Sequence, residues 1–203
     1  MMRAKDNPFR SQRLNAIGYI SQDEPLRAIC ERLEEMKSIV AVVGPHGSGK
    51  STLLRHLQKR FDSDGYRTHQ LFISRDVKLP WKRVTECVET MRPSEVLFFD
   101  GANHLPTRRF CRLKKMIRKK DAGLVITSHT EGLLPTLVQC RTNPDLLKEI
   151  VSRLLPDEPV ESWKSEALFH QHHGNIRDCL WQLYDEYGSS SYQDGCKSYS
   201  GSG

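Results

Sequence analysis

The 203-residue sequence predicts an α/β protein in three layers: a parallel sheet of about five strands between helices, followed by a small C-terminal helical lid. Three observations predict it. Short β-branched runs alternate with stretches whose apolar residues recur every three or four positions, the pattern of a sheet covered on both faces by helices. The runs Ser38 to Val43 (S-I-V-A-V-V) and Glu95 to Asp100 (E-V-L-F-F-D) are apolar nearly throughout instead of alternating, as central parallel strands must be. After Pro144 the strand-like runs stop and helical periodicity alone remains.

Residues 1–22 mix charges with Asn7-Pro8 and Gly18 and read as an extended lead-in without a core of its own. From Glu24 to Met36, Leu26, Ile29, Cys30 and Leu33 mark an amphipathic helix, and the first strand, Ser38 to Val43, follows. A helix starting at Lys50 buries Leu53, Leu54, Leu57 and Phe61 and stops near Asp62-Ser63-Asp64-Gly65. A second strand spans His69 to Ser74. Pro80 opens a helix carrying Val84, Cys87, Val88 and Met91, and the third strand, Glu95 to Asp100, ends in an acid. Thr107 to Lys120 is a basic helix, Gly123 to Ser128 (G-L-V-I-T-S) a fourth strand, and Thr136 to Cys140 a fifth, weaker one. These elements make a core over residues 23–143. Helices at Asp145 to Leu155, Glu161 to His170 and Asn175 to Tyr187 make a lid over 144–187, its small core drawn from Trp163, Trp181, Leu183 and Tyr184. Residues 188–203, rich in Ser, Gly and Tyr, read as a disordered tail.

Composition narrows the class. Six cysteines stand without a C-x-x-C pair, so a zinc ribbon or thioredoxin-type site is not indicated, and most read as small core residues of a reduced protein. The N-terminus lacks an apolar signal segment, and no apolar run approaches the roughly 18 residues that span a bilayer. The reading is a cytoplasmic protein with no membrane partner. A net charge of +6 decides little by itself.

The segment Gly44-Pro45-His46-Gly47-Ser48-Gly49-Lys50-Ser51-Thr52 fits G-x-x-x-x-G-K-[ST], between an apolar strand and a helix. Glycines there let successive amides turn inward on phosphate oxygens, and the following helix aims its positive end at the same anion. Lys50 is placed for the β and γ phosphates, the Ser51 hydroxyl for Mg²⁺ and Thr52 for the α phosphate.

With this cradle and the acid-tipped strand V-L-F-F-D, the chain resembles the P-loop NTPases and, among them, the AAA+ ATPases, over roughly Ser38 to Tyr187. The resemblance implies the P-loop three-layer sandwich, ATP and Mg²⁺ as ligands, and Asp100 as the Walker B acid holding Mg²⁺ through water beside Ser51. It implies sensor 1 roles for Thr127 and Ser128, with His129 beside them. In His173-Gly174-Asn175-Ile176-Arg177 it implies a sensor 2 arginine, Arg177, on the lid. Where that family continues D-E-A-x-x-L, this chain has Asp100-Gly101-Ala102-Asn103-His104-Leu105, so Gly101 stands in the position of the catalytic Glu. His104, Asn103 and Glu131 are the groups left to position water. The connection Thr130 to Pro135 has no Arg to serve as a trans finger, so the oligomeric state stays open.

Between Thr107 and Lys120 the buried stripe is Phe110, Leu113 and Ile117, and the rest is cationic. Arg108, Arg109, Arg112, Lys115 and Lys119 are candidates for nucleic-acid phosphate, an acidic protein or solvent alone. His170, His172 and His173, spaced i, i+2, i+3 without a second cluster, read as a helix-to-turn junction. The leading expectation is an ATP-binding AAA+-like ATPase or nucleotide-dependent switch, weakly hydrolytic, docking a protein partner through its lid. The alternatives are a P-loop kinase-type phosphotransferase and a nucleic-acid-binding accessory ATPase that uses the helix at 107–120. ATP is preferred to GTP because the family is ATP-using and no N-K-x-D guanine motif occurs.

Overall fold

The computed structural model describes residues 6–36, 39–156 and 162–197. Ser38 and Glu161, expected to open a strand and a helix, lie outside the described residues, as do residues 198–203 of the expected tail. Along the chain come α1 (Ser11–Ile17), α2 (Leu26–Glu35), β1 (Ile39–Val43), α3 (Lys50–Ser63), β2 (Thr68–Phe72), α4 (Trp81–Thr90) and β3 (Val96–Asp100). A short 3-10 turn over Ala102–His104 leads to α5 (Thr107–Lys119), β4 (Gly123–Ser128), β5 (Thr136–Gln139), α6 (Pro144–Leu154), α7 (Ser162–Gln171) and α8 (Ile176–Lys197).

Among the described residues the five strands form one sheet in the order β2-β3-β4-β1-β5, every neighbouring pair parallel. Each crossover between parallel strands needs a helix-sized connection, which is why helical and strand runs alternate in the sequence. Side chains of successive strand residues leave on opposite faces. Ala41, Val43, Leu97, Phe99, Leu124 and Ile126 go to one face and pack with Val84 and Val88 of α4 and Phe110, Leu113 and Ile117 of α5. On the other face Phe98 meets Phe61 of α3 edge to face, centroids 5.9 Å apart. Burial on both faces accounts for the unbroken apolar runs of β1, β3 and β4. At the β5 edge Arg32 of α2 donates to the Leu137 carbonyl at 2.7 Å and forks onto Glu24. The three-layer α/β architecture with helices C-terminal to it is therefore the one the sequence predicts.

The chain divides into two compact units, Ser21–Arg141 holding the sheet, and Met1–Ile20 with Thr142–Gly203. In the second unit α6 begins at an Asn143 cap, whose side-chain oxygen accepts from the Leu146 amide at 2.8 Å, with Pro144 in the first turn. Its core gathers Phe9, Leu146, Leu147, Val151, Leu154, Leu168, Ile176, Cys179, Leu180 and Leu183.

Four expectations change here. The N-terminal segment is not an extended strap: it contains α1, and Phe9, Leu14, Ile17 and Ile20 pack into the helical core. Asn7 tethers it by donating to the Tyr184 carbonyl at 2.8 Å. The seven residues of α1 are too few to show a helical period, and tertiary packing supplies what propensity does not. Trp181 is not part of the lid core but 66% exposed, because the buried stripe of α8 runs through positions 176, 179, 180 and 183, which 181 misses. The backbone of α8 continues past Gly188 to Lys197 where a disordered tail was expected. A packed helix propagates at one hydrogen bond per added residue, and no proline interrupts this stretch. Finally, of the described cysteines only Cys140 and Cys179 are buried, while Cys111 is exposed on α5. Burial pushes the Cys179 thiol up to about 11.

Phe9 is 2% exposed and lies edge-on to Tyr187 at 5.1 Å. Phe9→Ala is expected to cost the helical unit about 3 kcal/mol or more. Hydrogen exchange at the amides of α6 and α8 checks it: protection there should fall, and unchanged protection would show that the N-terminal segment adds nothing.

Candidate functional site

Register places the site. Val43 of β1 pairs with Ser128 of β4, and Phe99 of β3 pairs with Ile126, so the carboxyl ends of the three central strands finish together at one edge of the sheet. Ligands of open α/β sheets bind outside that edge. Every strand-borne candidate from the sequence, Asp100, Thr127 and Ser128, arrives there, and β1 delivers the Gly44-to-Thr52 loop to the same place.

The loop has the backbone a phosphate cradle needs. Gly47 and Gly49 take left-handed angles, φ 72° and 84°, which L side chains resist. A Cβ at Gly44 would come within 2.5 Å of the Cys140 carbonyl and 2.7 Å of Ser48 Oγ, so the loop leaves β1 through a gap only glycine fits. Its far side is fixed by one carbonyl: Pro45 O accepts from Ser48 Oγ at 2.9 Å and from Lys50 Nζ at 2.5 Å. Lys50 is 8% exposed and Ser48 4%, so a cation stands in a nearly dry loop at the amino end of α3. First-turn amides of a helix have no intrahelical acceptor, and the helix dipole adds positive potential. Lysine, the free first-turn amides of α3 and the Ser51 hydroxyl together fit a polyphosphate with a divalent cation.

Beside the cradle, Thr127 is committed within the protein. Its Oγ1 donates to Asp100 Oδ1 at 2.6 Å and accepts from the Gly101 amide at 2.7 Å. One hydroxyl thus orients the carboxylate and satisfies the backbone just beyond it. Ser128 Oγ is fully buried and turns back on its own loop, donating to the Thr130 carbonyl at 2.6 Å and accepting from the Thr130 amide at 3.2 Å. Its carbonyl accepts from the Gly44 amide at 3.2 Å, which ties β4 to the cradle's first residue.

Gly101 has a structural cause. Its φ is 80°, and a Cβ there would lie 1.9 Å from the Ile73 carbonyl oxygen. Ile73 is drawn in because its amide donates to the Asp100 carbonyl at 3.0 Å, extending the β2–β3 ladder by one bond. No side chain of any kind fits at position 101 without moving that backbone.

The sequence reading undervalued a histidine cluster. His129, just past β4, stacks on His46 of the cradle with centroids 3.9 Å apart, and His104 of the 3-10 turn meets its edge at 6.4 Å. These three are separated widely in sequence, and only the strand register brings them together. Burial, with Lys50 and the His46 and His104 imidazoles adding, holds the His129 pKa below its ordinary value, so its ring is neutral near pH 7. Arg177 sits exposed in the first turn of α8, in the other unit. Gly174 before it has φ 80°, and the Gly174 amide closes α7 on the Phe169 carbonyl. His172 is hydrogen-bonded to Gln182 at 2.6 Å, and among the described residues no group of three or more His, Cys, Asp or Glu is arranged to hold a metal ion.

Gly101→Glu is expected to destabilise the protein by about 3 kcal/mol or more, from left-handed strain plus the backbone clash. Urea unfolding measures this, and a variant as stable as the parent would mean the Ile73 segment yields freely. The His129 shift has a definite sign. Between the ordinary imidazole pKa near 6.5 and the lowered folded value, the unfolded chain binds more protons, so stability falls as pH drops through that window. The melting temperature should therefore fall between pH 7.5 and 5.5, and less so in His129→Asn; equal falls would remove His129 from the account.

No family model matches the chain, and no curated protein matches it either. Solved structures do. A point variant of RuvB from Thermotoga maritima superposes with a TM-score of 0.58 at 20% identity, over 81% of this chain and 62% of that one. The Thermotoga maritima RuvB Holliday junction branch migration motor gives 0.56 at 19% identity, over 86% of this chain and 60% of that one. The chain thus spans about three fifths of the length of the structures it matches. At that level of identity the likeness concerns the fold alone: a five-stranded parallel sheet between helices, as in the RuvB structures.

Proposed function

We propose that the chain is an ATP-binding, AAA+-like nucleotide switch with weak Mg²⁺-dependent hydrolysis. The observation that carries this reading is the cradle itself: left-handed Gly47 and Gly49, a gap at Gly44 closed to any side chain, and Lys50 held at the amino end of α3. In this reading Gly44 to Thr52 hold the triphosphate. Lys50 leaves the Pro45 carbonyl for the β and γ phosphates, Ser51 ligates Mg²⁺, and Asp100 holds the ion through water. The ion, when bound, neutralises charge that builds on the phosphate oxygens.

Thr127 then acts mainly by aiming Asp100, and Ser128 by fixing the loop after β4. Arg177 is the sensor 2 arginine on the strength of the G-N-x-R motif that opens α8. With position 101 closed to a carboxylate, water has to be oriented by weaker groups near the cradle. His129 in its neutral form, with His104 and Asn103 of the 3-10 turn and Glu131 nearby in sequence, are the candidates, and slow turnover follows from using them. A protein whose nucleotide persists is suited to signalling its bound state to a partner, here through the helical unit. ATP over GTP rests on the AAA+ likeness of the fold.

Calorimetry with ATP, GTP and Mg²⁺ tests the proposal, with phosphate release and transfer to small-molecule acceptors measured alongside. Lys50→Ala should weaken ATP binding by about 100-fold, the worth of a charge-assisted contact of roughly 3 kcal/mol. Equal binding by the parent and the variant would overturn the reading, and efficient transfer to an acceptor would convert it to a phosphotransferase.

A further inference from the structure

The net positive charge of the protein resides in one helical segment. Eight of its 31 Lys and Arg lie between Thr107 and Lys120 with no Asp or Glu among them, leaving 23 against 25 in the rest of the chain. The net +6 is therefore not spread for solubility, because away from α5 the protein is slightly acidic.

The buried stripe of Phe110, Leu113 and Ile117, with Met116 partly buried beside it, fixes how α5 sits on the sheet and leaves its cationic side toward water. Arg108, Arg109, Arg112, Lys115, Arg118 and Lys119 are all exposed, and among the described residues no carboxylate lies within ion-pair distance of any of them. Like charges three and four residues apart on one helix repel. A helix left in that state, with no carboxylate partner for these six among the described residues, is built to meet negative charge from outside.

Two of the cations are also held in place. Arg109 and Arg112 both lie over the Trp81 ring of α4, each guanidinium carbon 5.9 Å from its centre. Stacked guanidiniums lose little further freedom when they bind a phosphate or carboxylate through their fork. The identity of the anion follows from what the face lacks. Protein interfaces depend on apolar or aromatic anchors at their centre, and the exposed positions of α5 offer only Thr107, Cys111 and the cations. Asn and Gln, which read base edges, are also absent from α5.

We propose that α5 is a nucleic-acid docking surface that binds the phosphate backbone without regard to sequence. Its 13 residues extend about 20 Å, along which a duplex presents roughly a dozen phosphate charges. Contact is by Arg108, Arg112, Lys115 and Lys119, spaced along one side of the helix, with Arg109 steadied on Trp81. The proposal is independent of nucleotide binding at the cradle.

The test is titration of the full chain with a labelled 20-nucleotide oligo-dT and a 20-base-pair duplex at several salt concentrations, with poly-glutamate as competitor. Binding should weaken linearly in log salt, with a slope of about −3 to −4 for four contacts. Arg112→Glu with Lys115→Glu should lower affinity at least about 10-fold and reduce the slope by about 2. Arg55→Glu with Lys59→Glu, exposed on α3, changes the net charge equally and should leave both nearly as they were. Preference for the single strand or the duplex identifies the form of nucleic acid, and either supports the surface. Absence of binding at low salt, equal loss in the two double variants, or displacement by poly-glutamate at charge concentrations equal to the oligonucleotide's would overturn it. Circular dichroism of both variants, expected to match the parent, separates lost contact from lost fold.

Discussion

Parallel pairing of β1 with β4 on one side and β5 on the other brings the carboxyl ends of the central strands to a single edge, and the site assembles because of that alignment. A one-residue slip of β1 against β4 would invert its side chains and carry Gly44 away from the Ser128 carbonyl it donates to. Register is held by close packing on both faces, since Val40, Val42, Leu124, Val125 and Ile126 are inaccessible to water and each side chain has its own neighbours there. The polar groups at the edge are the ends of an apolar construction.

Several of those groups are used more than once. Pro45 lends one carbonyl to both Ser48 and Lys50, and Thr127 serves a carboxylate and an amide with a single hydroxyl. In a nearly dry setting an unpaired polar atom costs far more than a shared one.

Legibility from sequence followed burial. β1, β3 and β4 are readable because strands covered on both faces must be apolar throughout, and the ends of β4 fall where the sequence puts them. The cradle is readable because its chemistry is local, with every group within nine consecutive residues. The Asp100–Thr127 bond and the His46–His129 stack are not, since parallel register between strands distant in the chain leaves no trace in local pattern. α1 was missed because seven residues carry too little periodicity, and Trp181 was misplaced because hydrophobic character alone says nothing of which side of α8 it occupies. Gly101 could be read as a missing side chain, while the reason for it lay 28 residues earlier, at Ile73.

That last contact bears on how the protein can change over time. A carboxylate at position 101 cannot be introduced by one substitution, because the Ile73 carbonyl already fills the space and any Cβ meets it at 1.9 Å. The connection after β2 would first have to withdraw, giving up the bond between the Ile73 amide and the Asp100 carbonyl, and that step by itself only weakens the fold. Two changes are needed in an order whose first member is harmful. Such an arrangement behaves as a lock: with the Ile73 segment in place, glycine is the residue that position 101 admits.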